Sequence, residues 1–175
     1  MFIRGTLAEK NTILNTAERM CAAARTAPKA RGIDKIVTGI ITEDEKDAVI
    51  AEMRRLFDET GAAFFERDAK NLEISGAVVL IGTTGGPKGV PACGFCGYKD
   101  CSEMAANNGH CAYDDIDLGI AVCSAVSVAA NNRIDNRIMF SAGVAAKRLG
   151  YLGEDVKKIL AVPLSTLGKS PYFDR

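Results

Sequence analysis

GTTGGPKGVPACGFCGYKDCSEMAANNGHCAYD, residues 82–114, decides how this chain is read. It holds Cys93, Cys96, Cys101 and Cys111, four of the six cysteines, in the spacing C-x2-C-x4-C-x9-C. Gly82, Gly85, Gly86, Gly89, Gly94, Gly97 and Gly109 surround them, with Pro87 and Pro91. Proline removes a backbone donor and glycine makes irregular backbone cheap, so the stretch predicts a long loop rather than a helix or a central strand. Loops of such length inside a compact domain usually serve a function. Four thiols around a metal centre would supply one.

The loop's own chemistry is consistent. Gly94 between Cys93 and Cys96 permits a tight turn that lets two sulfurs converge. Asp100 and Glu103 are spaced as N-cap and third residue of a short helix that starts at Cys101. Asn108 and Gly109 can end that helix in a left-handed turn, returning Cys111 toward the others. Iron–sulfur clusters take four thiolates. Structural zinc takes four as well, commonly from two short C-x2-C pairs. Only one such pair occurs here, followed by x4 and x9 gaps. The order of readings is therefore a [4Fe–4S] cluster, then zinc, then disulfides, with [2Fe–2S] left open. His110 is the sole histidine. With four cysteines completing a site, it is read as a loop-backbone donor or a solvent-facing ring.

Working outward, GAVVLI at 76–81 is a continuous apolar run suited to a strand covered on both faces. The cysteine loop thus begins where a core strand ends. On the other side, DDIDLGIAVCSAVSVAA at 114–130 predicts a central helix, apolar on most sides. Cys123 within it reads as a buried thiol, and Cys21 likewise on the apolar face of a helix predicted over 6–27. That helix stops before Pro28. Arg25, Lys29 and Arg31 gather at its end, either as charge complementing the helix dipole or as a clamp for a phosphate or other anion.

IDKIVTGII at 33–41 predicts a strand. Thr42 with Glu45 opens a helix that runs to about Thr60 and stops at Gly61. Phe64 and Phe65 begin a less definite segment. Polar residues from Asn131 to Arg137 read as a capping network between two apolar helices, ahead of part of a ligand site, with the second helix near 138–149. A strand lies within 156–165, with Pro163 at its end or at a sheet edge. Tyr172 and Phe173 suggest a terminal arm docked on the body or on a partner subunit.

Composition bounds the function. The chain has 175 residues, 47% hydrophobic and 25% charged, with formal net charge zero. That suits one domain spanning 1–175 and excludes the basic field expected of a nucleic-acid binder. No apolar run reaches the ~20 residues of a membrane span. MFIRGTLAEKNTILNTAERM lacks the apolar core of a signal peptide, so a cytoplasmic location is expected. In that reducing compartment, clustered cysteines point to metal or redox chemistry.

Several separate blocks resemble one family. AAARTAPKARGID (22–34), the cysteine loop, IDLGIAVCSAVSVAA (116–130), IDNRIMFSAG (134–143) and GKSPYFDR (168–175) together look like bacterial and archaeal uncharacterised proteins containing a ferredoxin domain. That family is itself distantly similar to FMN-dependent nitroreductases. The resemblance implies an α+β fold, layered helices on a mixed β-sheet, with residues 82–114 as an inserted four-cysteine iron–sulfur loop, in a homodimer. Nitroreductases hold the FMN phosphate with an Arg-rich N-terminal motif that FIRGTLAEKN lacks. Arg25, Lys29 and Arg31 would have to substitute. Three functions follow as expectations: a [4Fe–4S] redox protein serving a partner protein or small-molecule acceptor, an FMN-dependent reductase with an accessory cluster, or a zinc-stapled module.

Overall fold

The computed structural model describes residues 2–173. A sheet of four strands lies between two layers of helices. In chain order the elements are α1 (Gly5–Thr26), a single 3-10 turn (Ala30–Gly32), β1 (Ile36–Ile41), α2 (Glu43–Thr60), α3 (Phe64–Glu73), β2 (Ala77–Thr83), α4 (Cys101–Ala106), α5 (Ala112–Asn131), β3 (Asp135–Asn136), α6 (Phe140–Arg148) and β4 (Lys158–Ser165). The strand order is β1-β2-β4-β3. Every pairing is antiparallel, from Ile36↔Thr83 in β1–β2 to Ala77↔Leu164 in β2–β4. The expected mixed sheet is thus corrected to an antiparallel one. Hydrophobic runs alone cannot tell the two apart, because helices on both faces bury either kind.

β2 explains the layering. All seven of its residues are buried, and side chains alternate between faces. Val78 and Leu80 point into a core with Val49 and Met53 of α2, Phe65 and Leu72 of α3, and Ala142 and Ala145 of α6. Ala77, Val79 and Ile81 point into a second core with Ala17, Met20 and Ala24 of α1 and Leu118, Val122 and Ala125 of α5. The small residues of α5 and α6 allow close approach to the sheet. A Cβ on Gly143 would lie 2.0 Å from the carbonyl oxygen of Ile159.

Pro163 sits inside β4, not at its end. The Ala161 amide donates outward to Met139 at 3.1 Å, so the Pro163 nitrogen, two residues on, faces the same flank. β3 reaches only Leu164 and Ser165, so among the described residues no strand asks Pro163 for a donor. The terminal arm docks on its own body. Tyr172 is buried with its hydroxyl 2.9 Å from Ser75 Oγ, and Arg137 donates to its carbonyl at 2.8 Å.

Candidate functional site

Residues 84–100 leave the end of β2 with no regular secondary structure, and α4 and the start of α5 complete the excursion. Gly94 has φ +61° and Gly97 φ +83°, a region that side chains disfavour. The Gly97 amide closes the turn on the Gly94 carbonyl at 2.9 Å. Asp100 caps α4, its carboxylate accepting from the amides of Ser102 and Glu103 at 2.9 Å each. The Glu103 carboxylate accepts from the Lys99 amide at 2.6 Å, completing a capping box displaced by one residue. Asn108 is left-handed, φ +50°, and ends the helix. Cys111 is the N-cap of α5.

This winding sets the four thiols around one cavity. Cys93, Cys96, Cys101 and Cys111 all line a single cavity of about 320 Å³, walled also by Val90, Pro91, Phe95, Tyr98, Met104 and Tyr113. Cys111 is buried, the other three are half-buried, and all are free thiols. Phe95, 66% exposed, stacks on Tyr113 with ring centroids 5.6 Å apart. Among the described residues no group of three or more His, Cys, Asp or Glu side chains is gathered as a metal-ion site. Four free thiols on the wall of one cavity fit an iron–sulfur group by donor type.

The two remaining cysteines stand apart from that cavity. Cys21 is half-buried against the α1–α5 core, and burial pushes its thiol above the usual range, opposed by a hydrogen bond with Thr38. Cys123, expected buried, is exposed. It shares the outer face of α5 with Ile116 and Ile120, both exposed. α5 is apolar nearly all round, so periodicity could not say which face the body leaves uncovered.

The basic trio has partners within the chain. Arg25 pairs with Asp34. Lys29 donates to the carbonyls of Ala24, at 2.8 Å, and Arg25, closing the C-terminal end of α1. Burial holds the Lys29 ammonium below its ordinary range, against the pull of Asp34. Arg31, in left-handed backbone at φ +56°, donates to the carbonyls of Lys88 at 3.0 Å and Gly89 at 2.8 Å. It therefore grips the cysteine segment. His110 lies beside Asp115 at 3.0 Å and Lys158 at 2.8 Å, on the far side of Cys111.

Sequence reasoning missed one group. Lys88 is 1% exposed, and its ammonium lies 2.9 Å from Asp117 Oδ2 and 3.9 Å from Asp114 Oδ1, both on fully buried carboxylates. It donates to the Ile33 carbonyl at 2.9 Å. Asp117 Oδ1 accepts from the Ala30 amide at 3.0 Å, and Asp114 Oδ2 from the Gly86 amide at 2.8 Å. Neither Asp114 Oδ1 nor Asp117 Oδ2 makes a hydrogen bond, so Lys88 meets both carboxylates as an ion pair. Burial raises the Asp114 carboxyl above the usual range, with the Gly86 amide and Lys88 opposing. A signal was present: Asp114 and Asp117 fall on the same helical face as Leu118 and Ala121, where charge is costly without a partner.

Comparison with known proteins agrees with this architecture. Residues 107–175 match the profile of the family described as uncharacterized proteins containing a ferredoxin domain. Of the four cysteines, that match includes Cys111 alone. An uncharacterized protein of Archaeoglobus fulgidus is 44% identical over 164 residues, covering 89% of this chain and 88% of its own. Among solved structures, an oxidoreductase containing FMN superposes with TM-score 0.61 at 11% identity, covering 89% of this chain and 67% of its own. A putative NADH dehydrogenase/NAD(P)H nitroreductase of Bacteroides thetaiotaomicron gives 0.58 at 10%, covering 89% and 74%. The NADPH:FMN oxidoreductase of Vibrio harveyi gives 0.57 at 11%, covering 92% and 63%. At such identities the likeness is one of fold.

Proposed function

Since the chain belongs to the family of uncharacterized proteins containing a ferredoxin domain, we propose that it is a redox protein whose four loop cysteines hold an iron–sulfur cluster. The single observation that carries the reading is that Cys93, Cys96, Cys101 and Cys111, all free, line one cavity. A [4Fe–4S] cubane matches four thiolate donors and a wall of mixed burial. When bound, such a cluster supplies reversible one-electron transfer, with a potential set by burial and hydrogen bonding. The chain's part is to ligate and shield. Val90, Pro91, Met104 and the Phe95–Tyr113 stack surround the thiols with apolar surface. The partner is a redox protein or a small-molecule acceptor that approaches the open side, where Cys93, Cys96 and Cys101 keep some exposure.

The fold supports a second reading, an FMN-dependent reductase served by an accessory cluster, because two of the similar structures name FMN. Two copies would assemble through the exposed Ile116–Ile120 face of α5. The free thiols suit the cytoplasm, and among the described residues no helix is long and apolar enough to cross a membrane.

Protein made and purified without air decides between these readings. Iron with sulfide and broad absorption near ~400 nm supports the cluster. A released yellow, fluorescent cofactor supports the reductase. Colourless protein with stoichiometric zinc overturns both. Serine at any one of Cys93, Cys96, Cys101 or Cys111 lowers iron and sulfide per chain, whereas Cys21→Ser and Cys123→Ser leave them unchanged. Metal loss on changing Cys21 or Cys123 would refute the ligand set.

A further inference from the structure

Burying a lysine with two carboxylates is expensive, and a pair of this kind adds little net stability over apolar packing. Its use is to fix position, and the position it fixes here is the neck of the cysteine excursion. Lys88 lies five residues before Cys93, and Asp114 lies three residues after Cys111. The Lys88 ammonium sits between Asp114 and Asp117 on α5 and the Ile33 carbonyl beyond the 3-10 turn. The Gly86 amide is held by Asp114 Oδ2, and the carbonyls of Lys88 and Gly89 are held by Arg31. Three residues of the stretch 86–89, namely Gly86, Lys88 and Gly89, are thereby fastened to the body. Gly89 has no side chain to obstruct Arg31, whose guanidinium lies 2.9 Å from where a Cβ would stand. None of these groups is among the four thiols.

We propose that Lys88, Asp114, Asp117 and Arg31 form a clamp that closes the neck of the cysteine segment before any metal arrives, making Lys88 a positioning residue for the metal centre. The proposal rests on the reading of the four cysteines as one centre. The clamp holds together the ends of a segment running from 88 to 114. Joining ends about 26 residues apart reduces the accessible conformations by roughly the three-halves power of that number, on the order of a hundredfold. That is the upper bound on the loading advantage, since other contacts of α4 and α5 persist when the clamp is cut. A metal that finds the neck already closed has only the thiols left to order.

Two measurements separate the clamp from the cluster reading. In metal-free protein, backbone hydrogen exchange tests the neck alone. Lys88→Met should raise exchange of residues 84–111 by about tenfold or more, while the buried strand β2 and the middle of α5 keep their protection. Because Lys88→Met leaves two carboxylates without their cation, Arg31→Ala is the parallel variant. It removes only the grip on the Lys88 and Gly89 carbonyls and should loosen the same residues to a smaller degree. In protein reconstituted anaerobically with iron(II) and sulfide, both variants should lose iron to a chelator roughly tenfold faster or more, with the visible spectrum of the retained iron unchanged. Unaltered exchange of 84–111 in both variants would overturn the clamp whatever the metal result. Loosened exchange with wild-type iron retention would also overturn it as a positioning device. Loosened exchange in a protein that binds no iron at all, wild type included, would refute the cluster reading and leave the neck closure standing.

Discussion

Gly143→Ala tests whether α6 is seated on β4 as closely as the structure shows. The added Cβ would stand 2.0 Å from the Ile159 carbonyl oxygen, 2.7 Å from its carbon and 3.2 Å from Leu160 Cα. All three are backbone atoms of a strand paired with β2, so no flexible side chain can move aside. Reaching even 3.0 Å from that oxygen requires α6 to back away by about 1 Å, against a close-packed core of Val49, Met53 and Tyr172. Overpacking of this kind costs about 1–3 kcal/mol, and a rigid backbone wall puts it at the upper end. Alanine returns up to about 1 kcal/mol in helix propensity. The net is about 2 kcal/mol of destabilisation, or a melting point about 4–8 °C lower for a chain this long. The control is Gly119→Ala on α5, where nothing lies within 4 Å of the new Cβ, so the propensity gain of up to about 1 kcal/mol stands alone. Thermal unfolding of both variants, followed by far-UV circular dichroism, reads the contrast. A Gly143→Ala protein as stable as wild type would refute the close approach.

Three further outcomes follow. Ser141→Ala deprives Oδ2 of the buried Asp68 carboxylate of its donor at 2.5 Å, leaving Arg67 on Oδ1 at 2.8 Å, and should cost about 1–3 kcal/mol in urea unfolding; unchanged stability would mean the bond is not made in solution. Tyr172→Phe removes the hydroxyl 2.9 Å from Ser75 and should cost about 1 kcal/mol by the same assay, with no loss if the arm is undocked. Burial opposes ionisation of Asp34 and Asp115, but Arg25 on the first and Lys158 on the second outweigh it and hold both carboxyls below the usual range. Their contribution to stability is present above the unfolded carboxylate range and is lost as pH falls through the lowered folded values. The doubly substituted Asp34→Asn, Asp115→Asn protein should show a flatter acid limb of stability against pH, and an identical limb would sink the assignment.

Much of this architecture is legible in the sequence. Thr42 and Gly61 bound α2, whose C-cap is left-handed at φ +68°, but the expected capping box is not made, since the Thr42 side chain forms no capping bond. Asp100 and Glu103 marked α4, and both engage backbone amides. The four-cysteine spacing singled out the residues that line one cavity. What could not be read follows from what local pattern leaves open. Strand direction depends on how distant segments pair, and GAVVLI would serve either a parallel or an antiparallel neighbour. Cys123 lies on a helix apolar all round, where only the packing of α1 and the sheet decides which face stays open.

Covalent order alone determined the clustering of four cysteines, the glycines that let the chain turn between them, and the strand and helix that bound the excursion. Those depend on residue type and short-range backbone preference. Tertiary structure decided which charges are silent and which are structural. Arg25 and Lys29 are absorbed by Asp34 and the end of α1, whereas Lys88, unremarkable in the run GGPKGVP, becomes the buried centre of the neck. The reason is physical: the worth of a charge depends on its desolvation and on partners that, for Asp117 and the Ala30 amide, lie 87 residues apart in sequence.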